Sequence, residues 1–155
     1  MARPKKIKDN PIDSDPKAYG KFIQGLEIQQ VLLVRSSIER FGFPSADATL
    51  SFELAGAAAE LTRFDDNSGF VARLPYTTDL VFHGSSESDP VRFATISVTF
   101  EAIYSTEIPI TDVIFETFKD YNLRLNLWSY VREFIQSTTL RMGFPGLVLP
   151  HLKVL

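Results

Sequence analysis

The chain has no cysteine among its 155 residues. That excludes a disulfide framework and any thiolate zinc site. It has two histidines, His83 and His151, far apart and without ligand-spaced partners. Zinc sites need three or four nearby ligands, so no metal and no cofactor are expected. No run of eighteen apolar residues exists, so no membrane-spanning helix is expected. The basic N-terminus is not followed by an apolar stretch of the kind a secretory signal needs, and a cytoplasmic protein is expected. There is no glycine-rich phosphate loop and no nucleophile elbow. Asp65 and Asp66 stand beside Asn67, Ser68 and Gly69, where carboxylates form turns rather than acid/base pairs. The chain reads as a non-enzyme. Its net charge of −3 weighs against a nucleic-acid surface.

What the chain does have is large apolar side chains. Thirteen phenylalanines, five tyrosines and one tryptophan supply ample core for one domain. Residues 1–20 are polar, with a basic cluster at Arg3, Lys5, Lys6 and Lys8, and read as a disordered tail ahead of a domain over 21–155.

Four extended stretches follow. Phe22 to Phe41 alternates and becomes apolar on both sides at Val31 to Val34, which predicts cover on both faces. Ala48 to Leu54 places Leu50, Phe52 and Leu54 on one face. The Gly56–Ala59 run reads as an edge or crossover. Phe70 to Phe82 contains Pro75, which cannot donate to a ladder and so predicts an edge or bulge. A hairpin connection, Gly84 to Pro90, leads into Val91 to Tyr104.

Two helices close the chain. Thr111 or Asp112 can cap Val113 to Tyr121, with Asn122 as a break. The long helix from Leu123 carries Leu127, Trp128, Tyr130, Val131, Phe134, Ile135 and Met142 at helical spacing. Gly143 stands at its C-cap, Pro145 prevents continuation, and the hydrophobic exit from Phe144 is extended. Four strands and then two helices give an α+β fold: a four-stranded antiparallel sheet packed with one short and one long C-terminal helix. The long helix has a wider apolar arc than one sheet covers. Trp128, Tyr130, Val131, Phe134 and Ile135 are therefore candidates for an oligomer interface. Candidates for binding an apolar segment of another protein are the large residues flanking Gly56–Ala59 and the exit: Leu54, Leu61, Phe64, Phe70, Leu125, Phe144, Leu147 and Leu149.

The block Leu125 to Leu149 resembles the signature helix of the SecB family of export chaperones. Trp128, Tyr130, Arg132 and Glu133 stand for its aromatic and Tyr-x-Arg-Glu positions; Phe144, Pro145, Leu147 and Leu149 stand for its Phe-Pro-x-Leu-x-Leu exit. Leu26 to Gln29 are similar to the family's first strand. The Leu-Trp-x-Tyr-x-Arg-Glu form is closer to the SecB-like chaperones of toxin–antitoxin–chaperone modules. Ser129 replaces the usual proline, and Arg35 stands where export SecB presents an acidic residue for the SecA motor. Both departures weigh against SecA docking. The resemblance implies a dimer of dimers that holds unfolded polypeptides without ATP. The client would be an aggregation-prone antitoxin and, through it, a toxin, and some such modules act in phage defence. General protein export, and a structural subunit with its apolar surface filled by a fixed partner, are the alternatives.

Overall fold

The computed structural model describes residues 15–43, 49–83 and 90–152, the side chains of 82 and 83 aside. The basic cluster at 3–8, the Gly84–Asp89 connection and the last three residues lie outside them.

Strands β1 (Leu26–Arg40), β2 (Thr49–Gly56), β3 (Glu60–Arg63), β4 (Gly69–His83) and β5 (Val91–Thr106) form one antiparallel sheet. Its order is β1-β5-β4-β2, and β3 also pairs with β4. Ala94, Ile96, Val98, Phe100, Ala102 and Tyr104 of β5 point to one buried face, the two-residue period that the alternation predicts. The other face is polar. Arg73 Nη2 donates to Glu101 at 2.7 Å, Thr95 to Asp79 at 2.6 Å, and Thr77 lies 3.2 Å from Ser97. The first face can be dehydrated at the cost of one orphaned hydroxyl, that of Thr78, and the helices cover it.

Three features ahead of β5 depart from the sequence reading. First, Pro16–Gln24 is a helix, α1, with Asp15 capping the Lys17 amide at 3.1 Å. It takes residues 16–20 from the supposed tail and Phe22 from the supposed first strand. The Asp-Pro pair is a helix-start signal. Second, Pro75 lies in a central strand, not at an edge. β2 leaves β4 after the Gly56–Tyr76 pair and β3 rejoins it at Glu60–Arg73. The Pro75 carbonyl faces this gap and accepts from the Ala57 amide at 3.1 Å. Because a strand residue's N and O point the same way, the missing N–H faces the gap too. β3 is the strand that the sequence reading missed. Third, β1 is an edge strand, and Leu33, Val34 and Ile38 are about half exposed, not covered on both faces.

Thr111 caps α2 (Asp112–Phe118), its Oγ1 accepting from the Ile114 amide at 3.2 Å. Asn122 is not a break. A π-helical turn, Lys119–Leu123, carries α2 directly into α3 (Arg124–Arg141). Gly143 ends α3 at φ 85°. Its amide donates to Leu140 and that of Phe144 to Thr139, at 3.0 and 3.1 Å, the paired bonds of a Schellman cap.

Candidate functional site: a trough at the β2–β3 gap

The small residues of Gly56–Ala59 leave room beside the sheet. Two adjoining pockets of about 260 and 190 Å³ share Gly56, Leu74 and Arg124. The first runs along Ala57–Ala59 to Lys119 and Asp120 of the π-turn. The second continues past Leu54, Tyr76 and Trp128 to Leu152. Leu74 and Tyr76 are buried, Leu54 and Leu152 half-buried. The result is an open trough, mainly polar at the Lys119–Asp120 end and about half apolar at the Leu54–Leu152 end. Arg124 Nη2 lies 3.9 Å from Asp120, and Lys119 Nζ lies 2.7 Å from Glu116. Burial raises the Tyr76 phenol above its usual range, and the charge of Arg124 partly opposes that.

The exit segment forms one wall because three side chains of α3 hold its backbone. Thr139 Oγ1 accepts from the Leu147 amide at 3.0 Å. Arg132 Nε donates to the Leu149 carbonyl at 2.8 Å, and Trp128 Nε1 to the Pro150 carbonyl at 2.9 Å. Positions 128, 132 and 139 share one flank of a helix, so the segment runs back along it. On the far side Arg63 ties β3 to α2. Its Nε donates to the Ile110 carbonyl at 3.0 Å and its Nη2 to Asp112 at 2.5 Å.

Of the client-binding candidates, Leu54 lines the trough. Leu61 and Leu147 are half-buried against the core, and Phe64 and Leu125 are exposed. Phe70, Phe144 and Leu149 are buried among core side chains: Phe70 stacks on Tyr104 and Phe144 meets Phe93 edge-on. Among the interface candidates, Val131 and Ile135 are likewise buried in the chain's own core, because they face the sheet. Trp128 is also buried, and it meets Tyr76 edge-on at the trough. Tyr130 is exposed and Phe134 half-buried, and both rings contact Phe100. The sequence reading missed Leu74, Tyr76, Arg124 and Leu152. Their trough exists only because β2 and β3 part, and neither strand's pattern announces that.

Among the described residues no cluster of three metal-ligating side chains occurs, and no helix is long and apolar enough to cross a membrane. No family model and no curated protein matches the chain. Solved structures do. The fold is that of a SecB-like chaperone: an antiparallel sheet with its helices on one face. It is similar to Rv1957 of Mycobacterium tuberculosis, solved in complex with a ChAD peptide from the Rv1956 HigA1 antitoxin, with a TM-score of 0.76. The match covers 89% of this chain and 98% of that one at 19% identity. A Streptococcus agalactiae protein of unknown function matches at a TM-score of 0.38 and 13% identity, over 81% of this chain and 97% of that one.

Proposed function

We propose that this chain is a molecular chaperone of the SecB-like type. It binds an aggregation-prone antitoxin without ATP and so helps the antitoxin neutralise its toxin. The observation that carries this reading is the SecB-like fold, shared across nearly the whole length of a chaperone solved with an antitoxin peptide. The trough supports it, since an open channel that joins the apolar Leu54–Leu152 end to a polar end suits an extended segment rather than a small substrate. The driving force is burial of client apolar surface, about 25 cal/mol per Å², less the cost of ordering the client.

The working form is a homotetramer in the cytoplasm. Leu33 and Ile38, on the helix-facing side of β1, are 49% exposed each, and Tyr130 and Leu140 on α3 are exposed as well. An edge strand with such side chains is a pairing surface. These residues replace the buried part of the helix as the interface.

The test is light scattering from a cognate antitoxin diluted out of denaturant, with the chain present and nucleotide absent. Suppressed aggregation at near-equimolar ratio is the expected result. Unchanged aggregation rejects the reading. Rescue of cells expressing the toxin–antitoxin pair separates the antitoxin role from general export chaperoning.

A further inference from the structure

Helix α1 occupies an aromatic socket. Phe70, Tyr104 and Phe118 contact one another with centroids 5.0, 5.2 and 5.6 Å apart. Phe22 is a fourth, looser ring, 6.3 Å from Phe70 and 6.1 Å from Phe118, yet wholly buried. The socket is therefore complete without α1, and Phe22 fills its mouth.

The helix that carries Phe22 is weakly built. It has nine residues with Gly20 in the middle, too short and too flexible to persist without docking. Beyond its rings, Ile23 packs against the core and the Tyr19 hydroxyl donates to Asn122 Oδ1 at 2.7 Å. The next anchor along the chain is the Glu107 amide on the Gly25 carbonyl at 3.1 Å, after the helix ends. A Cβ on Gly25 would lie 3.1 Å from that of Glu107, so this joint is tightly seated. This joint holds the start of β1 independently of α1.

The socket lies on the same buried face of β4 as the trough residues Leu74 and Tyr76. Phe70 and Leu74 lie on the same face of β4, and Phe118 precedes Lys119.

We propose that the Phe70–Tyr104–Phe118 socket is a second client subsite, taking one aromatic or large aliphatic anchor, and that Phe22 of α1 occupies it in cis until a client displaces it. The proposal rests on the chaperone reading above. A segment lying in the trough would place its anchor in the socket, and α1 would then compete with every client.

Amide hydrogen exchange on the full chain tests this, with reduced, carboxymethylated α-lactalbumin as the unfolded probe. Saturating probe should speed exchange in residues 16–24 by about tenfold or more, while β4 and β5 stay protected. Tyr19→Phe, which removes only the hydroxyl and leaves the socket intact, should bind the probe several-fold more tightly. If the probe binds but exchange in 16–24 is unchanged or slowed, and Tyr19→Phe binds no better, α1 is ordinary core and the proposal is overturned. If neither protein binds the probe, the chaperone reading falls and takes this proposal with it.

Discussion

Arg132 Nε donates to the carbonyl of Leu149 at 2.8 Å, seventeen residues on. A charged residue of α3 thus serves the chain's own exit. The same guanidinium has Nη1 3.3 Å from His151 Nδ1. Trp128, one turn earlier, donates to Pro150. The aromatic and the arginine of the Trp-x-Tyr-x-Arg-Glu motif are one clamp. The exit has no secondary structure of its own and needs such side-chain partners for its main chain.

Arg132→Ala should therefore loosen the exit. The expected loss is about 1–2 kcal/mol in urea unfolding, as for a hydrogen bond to a charged donor. Trp128→Phe, which keeps the ring and drops the N–H, should cost about 1 kcal/mol. Faster amide exchange at Leu147 confined to both variants would locate the effect. Parent-like protection in both would show that the clamp does not hold the exit.

Core and surface should separate cleanly along the exit and the helix. Leu149 is fully buried, so Leu149→Ala should cost about 2–5 kcal/mol. Leu125 is 46% exposed, so Leu125→Ser should stay within about 0.5 kcal/mol of the parent. Thermal melts of the two variants decide this, and equal losses would contradict the burial pattern.

The contrast also marks what the sequence could carry. Alternation along β5 and the Gly143 cap were legible because each is a local pattern with one physical meaning. The trough was half legible: Gly56–Ala59 pointed to an open place, but its floor, Leu74 and Tyr76, read as ordinary strand core. The buried face of α3 could not be told from an interface face. Val131 and Ile135 have the same apolar character as Tyr130, and only the sheet's position decides which way each points. Phe22 was misassigned because an isolated phenylalanine before an alternating run extends the strand pattern by one step. Asp15-Pro16 was the signal against it.

Filling the trough should block client binding without unfolding the chain. A Cβ on Gly56 would lie 3.6 Å from the Tyr76 ring, an ordinary contact. Gly56→Val should melt within a few degrees of the parent and lose most of its protection of an aggregating antitoxin. Full protection by this variant would place the client elsewhere.

The β1 face should control assembly. Leu33→Lys with Ile38→Lys puts two charges on half-exposed sites of the edge strand, where charge opposes strand-to-strand pairing. Multi-angle light scattering at micromolar concentration should read a tetramer for the parent and a smaller species for the variant, with unchanged circular dichroism. A tetrameric variant would move the interface away from this face.

Alkaline pH should open the molecule at the joint between α1, the π-turn and β5. Burial pushes the phenols of Tyr19 and Tyr104 up to about 12, from 10.0, and the hydrogen bond from Asn126 only partly offsets this at Tyr104. The folded state therefore holds these two protons more tightly than the unfolded chain does. Their contribution is fully present below pH 10, where both states are protonated. It is lost as pH rises through about 12, because the unfolded phenols ionise first and draw the equilibrium toward them. Stability measured in urea should be flat with respect to these groups from pH 7 to 9 and fall between about 10 and 12. Tyr19→Phe should flatten part of that fall, since it removes one titrating phenol while keeping the ring. A slope unchanged by Tyr19→Phe would mean that its hydroxyl ionises as freely in the folded protein as in water, and that α1 is not seated on Asn122.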